Sequence, residues 1–358
     1  MASRTLIRPT AFVDSPFGHD GKVARLAGGL TWFSAVELLT VEGNRRLSAE
    51  LVSVERLDDH LDDEMPSQWQ RLTSPRAPLE FGSRTIRLDQ PQVMGIVNAT
   101  PDSFSDGGQF ADAVSAAEAG ARMAEAGAAI VDVGGESTRP GAKPVWEGDE
   151  IERAIPVVGQ LASAGVAVSI DTRKADVMTA ALEAGARMVN DVSALTYDLR
   201  SSDVIASAGV PVVLMHHQGK PEVMQHDPRY DDVVVEVYAW LEERIAEAEE
   251  AGITRDRILI DVGFGFGKSL AHNLELMNHL ALFHSLGCAL VLGASRKRTI
   301  GALSNEAPAD QRLGGSLAFA LKAVEQGVQL VRVHDIPETV QALKVWRGLR
   351  DQALTARL

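Results

Sequence analysis

The chain contains a single cysteine, few aromatic residues and no long apolar run. With Cys288 alone, no disulfide can form within its 358 residues, so we expect a reducing compartment, the cytoplasm. Aromatic residues are 5% of the chain and apolar residues 45%, so aliphatic side chains must fill the core. No stretch reaches the roughly 18 apolar residues that span a bilayer, and the start MASRTLIRPT lacks the apolar centre of a signal peptide. We therefore expect no membrane partner.

Positive charge is also scarce. The 35 Lys and Arg residues face 49 Asp and Glu residues, which gives a formal net charge of −14. A nucleic-acid surface needs a basic footprint, so we expect no nucleic-acid partner. An anionic small molecule can still bind where a local basic cluster outweighs the field of the whole chain.

One phrase recurs along the chain from residue 92 onward. It is a helical stretch that ends in glycine, a short apolar run and then a polar residue, as in EAGAAIVDVGG (125–135), SAGVAVSIDT (163–172) and EAGARMVNDVS (183–193). Glycine readily ends a helix, and short Val/Ile/Leu runs are typical of parallel strands buried on both faces. With QVMGIVN (92–98), eight such strands predict an α/β fold, the TIM (β/α)8 barrel. A doubly wound open sheet would need fewer strands and a phosphate fingerprint after the first one.

The first 90 residues do not follow this repeat. We predict a small N-terminal α+β lobe at 1–90, appended to a barrel at 91–358. The acidic run ERLDDHLDDE (55–64) is expected to be a solvated face or loop. Three roles stay open for this lobe: a docking surface, a cover for the N-terminal face of the barrel, or stabilisation alone.

Polar residues stand where the predicted strands end, which is where this fold places reactive groups. Carboxylates and amides there suit an N–H-rich heterocycle, and basic residues toward strands 7 and 8 suit phosphate. No His/Cys cluster has zinc-like spacing, whereas Asn98 together with phosphate oxygens suits Mg2+. The residues in question are Asn98, Asp132, Glu136, Asp171, Asn190, Asp191, His216, Asp261, Ser295, Lys297, Arg332 and His334.

The run DVGFGFGKSL (261–270) superficially resembles a nucleotide-phosphate loop. That loop requires a glycine separated by four residues from the Gly-Lys-Ser triplet, and Val262 stands there instead. The dinucleotide pattern fails as well, because Lys268 replaces its last glycine. The run therefore reads as a strand exit, with Lys268 as a loop lysine of structural role.

Several long motifs together resemble one family. MGIVNATPDSFSDGG (94–108) and DVGGESTRPGA (132–142) strongly resemble the two signature segments of the dihydropteroate synthases. The similarity covers residues 92–350 and leaves the first 90 unaccounted for. It continues in order through SIDT (169–172), VNDVSA (189–194), LMHHQG (214–219), DVGFGFGKS (261–269), ASRK (294–297) and RVHD (332–335).

The resemblance implies a transferase of folate biosynthesis. Its small-molecule substrates would be 6-hydroxymethyl-7,8-dihydropterin diphosphate and 4-aminobenzoate, with Mg2+ as cofactor, a homodimer as assembly and sulfonamides as inhibitors. Asp171, Lys297, Arg332 and His334 would be the catalytic residues. The residues that would bind the pterin are Asp171, Asn190, Met215, Asp261 and Lys297, with Asp132 supporting them from beneath. The diphosphate would be bound by Asn98 through Mg2+ and by Thr138, Arg139, Arg332 and His334. The aminobenzoate would be bound by Ser295, Phe266, Phe104 and Pro140.

Two positions depart from the family pattern. Val262 replaces a usual proline, and His217, expected to face solvent, replaces a frequent methionine. Two rival functions share the pterin residues: a pterin- or folate-binding methyltransferase and a non-catalytic pterin-binding protein. Neither requires the ESTRPGA and SRK segments or the diphosphate residues, all of which are present.

Overall fold

A computed structural model describes residues 3–61, 64–99, 108–137, 144–219, 224 and 227–355. Its N-terminal part is an antiparallel sheet in which β3 pairs with β1 along one edge and with β2 and β4 along the other. A helix and a two-stranded hairpin follow the sheet. These elements are β1 (Arg4–Val13), β2 (Ala24–Arg25), β3 (Trp32–Glu42), β4 (Arg45–Ser53), α1 (Met65–Thr73), β5 (Leu79–Phe81) and β6 (Arg84–Ile86).

The acidic run after β4 is more ordered than we expected. Its first part forms a 3-10 helix, Val54–His60, which buries Leu57 beneath the sheet. The charged residues Glu55, Asp58 and Asp59 remain exposed, so the run does present a solvated face, while Leu57 packs into the lobe.

The rest of the chain alternates strands and helices, and its eight strands close into a parallel barrel as predicted. The strands are β7 (Gln92–Asn98), β8 (Ile130–Gly134), β9 (Val168–Asp171), β10 (Met188–Asp191), β11 (Val212–Met215), β12 (Ile258–Asp261), β13 (Ala289–Leu292) and β14 (Leu330–Val333). The helices are α2 (Gly108–Glu125), α3 (Glu147–Ser163), α4 (Ala175–Glu183), α5 (Ser201–Ala208), α6 (Val233–Glu250), α7 (Leu270–Asn278), α8 (Arg298–Leu303), α9 (Leu313–Glu325) and α10 (Ile336–Ala353). Strands β8 to β13 are buried along their whole length, as their apolar composition dictates.

The N-terminal lobe packs against the barrel through both its hairpin and its sheet. Leu79 and Phe81 of the β5–β6 hairpin share an apolar cluster with Ile130 and Leu330, which begin their barrel strands. The hairpin therefore closes the N-terminal mouth of the barrel, one of the three roles left open. The sheet itself packs on the flank, where it shares a second cluster with Ala281 of the 3-10 helix Leu280–Leu286. None of the described helices combines the length and the apolarity that crossing a bilayer requires.

Candidate active site

The register of the barrel aligns the polar strand ends. Asp171 of β9 lies opposite Asn190 of β10, and Met215 of β11 lies opposite Asp261 of β12. Because all eight strands run parallel, their carboxyl ends meet at one face. The sequence prediction that these groups share one rim is confirmed for the residues that the structure describes.

A network of charged groups lies at the centre of this face. Arg332 Nε is 2.7 Å from Asp132 Oδ2, and Arg332 Nη2 is 2.7 Å from Asp171 Oδ2. Asn190 Nδ2 donates to Asp132 Oδ2 over 2.9 Å, so the amide oxygen of Asn190 is directed elsewhere. The second oxygens, Asp132 Oδ1 and Asp171 Oδ1, are buried and have no hydrogen-bond partner among the described residues. Buried acceptors of this kind are costly unless a ligand donates to them.

Burial sets the electrostatics of this network. It raises the pKa of Asp171 to about 7; Arg332 opposes the shift, and the nearby carboxylate of Asp132 adds to it. Burial alone would lower the pKa of Arg332, but Asp132 and Asp171 more than offset that effect, so its pKa is raised. The arginine therefore stays charged beside Asp171, whose ionised form is destabilised by burial and stabilised by Arg332.

Asp261 forms the second acidic position of the face. Its Oδ1 accepts a 2.7 Å hydrogen bond from Gly263 N. Burial raises its pKa, while that bond, Lys297 and Lys268 oppose the rise. The ammonium of Lys297 lies 4.0 Å from the ring centroid of Phe266, a cation–π contact. Phe266 and Met215 also line a cleft together with Ser137, Arg173, Val192 and Met224.

The anion side of the face is built on the turn after β13. His334 Nδ1 lies 3.1 Å from Ser295 Oγ, and His334 N donates to the same oxygen over 3.3 Å. Arg296 adopts a left-handed conformation with φ of 57° and pairs with Asp335, which fixes the turn against the end of β14. The turn thereby brings Ser295 and His334 together.

Four of the predicted site residues lie outside the part of the chain that the structure describes: Thr138, Arg139, Pro140 and Phe104. Asn98 ends β7 beside Gly134 of β8, and its side chain has no hydrogen-bond partner in the described part of the chain. One amide oxygen suits Mg2+, which prefers oxygen ligands and keeps several waters. Among the described residues, no cluster of three acidic, His or Cys residues is placed to hold a metal ion by itself.

Sequence reasoning missed a buried ion cluster beside the site. Lys174 Nζ lies 3.1 Å from Glu136 Oε2 and donates to Glu150 Oε2 over 2.5 Å and to Val145 O over 2.6 Å. Glu136 Oε1 accepts from Val145 N and Arg173 Nη2. The cluster joins the described residues on either side of 138–143. Lys174 and Glu150 lie at the starts of helices, where charged side chains are usually exposed to solvent. Nothing in the sequence therefore indicated that these two side chains are buried.

Two side chains differ from expectation. His217 was expected to face solvent, but its Nε2 is buried and its ring lies edge-on to Trp240 at 5.9 Å. Lys268, expected as a loop lysine, is 3% exposed. Both lie against the loops that follow β11 and β12, so packing rather than solvent determines their position.

The chain matches known proteins along its barrel. The family model described as "Pterin binding enzyme" matches residues 94–334. The dihydropteroate synthase of Escherichia coli K12 is 47% identical over 262 residues, which are 73% of this chain and 92% of that protein. A structure of Xanthomonas albilineans dihydropteroate synthase with 4-aminobenzoic acid has a TM-score of 0.73 at 48% identity and covers 78% of this chain and all of that one. A Yersinia pestis dihydropteroate synthase structure with a sulfonamide drug complex has a TM-score of 0.72 at 45% identity. It covers 76% of this chain and 99% of that one. The chain therefore belongs to the pterin-binding enzymes, in the dihydropteroate synthase family.

Proposed function

We propose that this chain condenses 6-hydroxymethyl-7,8-dihydropterin diphosphate with 4-aminobenzoate, giving 7,8-dihydropteroate and pyrophosphate. One observation carries the proposal: Asp132 Oδ1 and Asp171 Oδ1 are buried without a hydrogen-bond partner among the described residues, and they lie beside a basic rim that includes Arg332. Acceptors in that position match the ring N–H and exocyclic amine of a pterin, and the rim matches its diphosphate tail.

In this proposal the pterin binds between the two acidic positions. Asp261, Asn190 and the unpartnered oxygen of Asp171 accept its N–H groups, while Met215 and Phe266 cover its ring. Asp132 holds Asn190 and Arg332 in place from beneath. Of these acceptors, Asp171 Oδ1 is buried without a hydrogen-bond partner among the described residues, so a pterin N–H would satisfy it.

Loss of diphosphate leaves positive charge on the pterin, and Asp171 is placed to stabilise it. Burial raises its pKa to about 7, so the resting carboxylate is a weakly stabilised anion. A developing cation stabilises that anion more than the neutral ground state does, so the interaction strengthens in the transition state. The amine of aminobenzoate then attacks the carbon, and no covalent enzyme intermediate is required.

The leaving diphosphate is assigned to the basic rim. Arg332 and His334, with Arg139 and Thr138, hold its oxygens in this proposal. Asn98 would hold Mg2+, which when bound would neutralise charge on the leaving oxygens. Arg332 already bridges two aspartates, so it serves both halves of the substrate.

The aminobenzoate is assigned to the turn after β13. Ser295 would receive its carboxylate, and Phe266 would line its slot, together with Phe104 and Pro140. Sulfonamides share the aminobenzoate shape, so we expect them to compete with it. Sulfonamide inhibition that is independent of aminobenzoate concentration would overturn this pocket assignment.

We also propose that the protein is a homodimer and that it is located in the cytoplasm. A homodimer is supported by Val345 and Leu349, exposed one turn apart on α10, and sedimentation velocity tests it. The single cysteine, buried and unpaired, suits the cytoplasm.

The function is tested with both substrates and Mg2+, by measuring pyrophosphate and 7,8-dihydropteroate. We expect equimolar release, dependent on aminobenzoate and lost on chelation. Pterin binding without release would favour a non-catalytic binding protein. Methyl transfer from a folate to a corrinoid would favour the methyltransferase.

A further inference from the structure

The proposed function gives no role to the lysine that ends GFGFGK. Lys268 is 3% exposed, and the hydrogen-bond partners of its Nζ among the described residues are not carboxylates. Instead, Nζ donates to Phe266 O over 3.0 Å and lies 2.8 Å from His216 Nδ1. An amine buried with only these neutral partners is costly, so a structure that keeps it must gain from its contacts.

His216, the partner of Lys268, is also buried and packed. His216 is 4% exposed, and its ring lies edge-on to Trp240 with centroids 4.9 Å apart. Burial, followed by the charge of Lys268, lowers its pKa well below the ordinary value. A neutral ring can present Nδ1 as an acceptor to the lysine.

The two loops on either side of this pair touch backbone to backbone. A Cβ atom at Gly263 would lie 1.7 Å from His216 O, and one at Gly267 would lie 2.5 Å from Gln218 O. Both glycines also have positive φ, 69° and 62°. Only glycine permits this approach, so the loop after β12 and the exit of β11 form one packed unit joined by the lysine.

This unit supports three groups of the pterin site. The carbonyl oxygen of Phe266 accepts a hydrogen bond from Lys268, and the ring of Phe266 makes a cation–π contact with Lys297. Asp261 begins the same loop and accepts from Gly263 N. Burial lowers the pKa of Lys268 to about 7, while the charge of Asp261 opposes that shift. Loss of the lysine would therefore free Phe266 and remove a positive charge near Asp261.

We propose that Lys268, anchored by His216, is a positioning residue for the pterin half of the site. It fixes the loop 263–268 so that Phe266 and Lys297 face the ring that Asp261 binds. The inference rests on the proposed function and assigns no proton transfer to either residue.

The test compares four single variants of the full chain. Lys268→Met keeps the stem and removes the donors, and His216→Phe keeps the ring and removes the acceptor. His216→Asn retains an acceptor near the position of Nδ1 and is the conservative rescue. Lys344→Met removes an exposed lysine of α10 and is the matched control.

We expect Lys268→Met and His216→Phe each to raise KM for the pterin diphosphate by roughly ten- to hundredfold, the range for losing a hydrogen bond to a charged group. KM for aminobenzoate should change less, His216→Asn should recover most of the loss, and the control should match wild type. The double variant Lys268→Met/His216→Phe should resemble either single one, because both break the same contact.

Pterin kinetics of Lys268→Met within twofold of wild type would overturn the inference, even if its thermal stability falls. If Lys268→Met does not fold, His216→Phe decides by the same criterion. If wild type itself makes no dihydropteroate, the proposed function fails. The inference is then judged separately, by whether these variants weaken binding of 6-hydroxymethyl-7,8-dihydropterin at equilibrium.

Discussion

Replacing Arg76 tests how the N-terminal lobe is attached to the barrel. This partly buried guanidinium has no carboxylate partner among the described residues and donates instead to four carbonyl oxygens. Two of them, Arg71 O at 2.9 Å and Ser74 O at 3.1 Å, end α1. The other two, His284 O at 2.9 Å and Cys288 O at 3.0 Å, belong to the barrel flank. Burial lowers the pKa of Arg76 to about 10, so the residue remains charged at neutral pH.

The expected loss in the free energy of unfolding follows from these contacts. A hydrogen bond to a charged group contributes about 1.5–3 kcal/mol, and desolvation of the guanidinium offsets part of the four-bond total. For Arg76→Met we expect a net loss of about 2–4 kcal/mol, a large share of the ~5–15 kcal/mol typical of a folded protein. Urea unfolding followed by tryptophan fluorescence measures it.

The matched control is Arg84→Met. Arg84 also donates to a carbonyl, Gly165 O, over 3.1 Å, but it lies exposed on β6. Its loss should cost no more than about 0.5 kcal/mol, as is usual for surface positions. If Arg76→Met costs as little as the control, the carbonyl cluster does not attach the lobe, and the reasoning fails.

Three further outcomes are expected. Asp171→Asn should keep equilibrium binding of pterin diphosphate within tenfold but lower kcat by about a hundredfold or more, since it removes the charge that stabilises the pterin cation; unchanged turnover would contradict that role. Burial lowers the pKa of His284 to about 3, below its ordinary value of 6.5. The stabilising contribution of its neutral form is thus complete above pH 6.5 and falls as the pH drops toward 3, by roughly 2 kcal/mol at pH 5. His284→Gln should flatten that part of the urea stability profile, and an unchanged slope would show that other groups cause it. A chain starting at residue 91 should be insoluble or far less stable, because it uncovers the apolar barrel mouth beneath Leu79 and Phe81; a stable, active truncation would show that the lobe is dispensable.

Most of the barrel follows from its sequence, because glycine-ended helices and short apolar runs repeat with fixed polarity. The site positions follow too, since parallel strands bring their ends to one face. What could not be predicted depends on tertiary contacts. Arg332 was assigned to the diphosphate, but its salt bridges to Asp132 and Asp171 join residues far apart in the chain. Lys268 was expected to be a structural loop lysine and Lys174 was not singled out, and only packing shows that both are buried.

The lobe is also joined to the last helix of the chain. Arg350 on α10 donates to Val13 O over 3.1 Å and to Asp14 Oδ1 over 3.0 Å. During synthesis, Val13 and Asp14 must therefore wait until Arg350 has been made before these bonds can form. Such pairing of sequence-distant segments slows folding and leaves apolar surface uncovered meanwhile. The nascent sheet would thus be a natural client for a chaperone until α10 has been made and can pack against it.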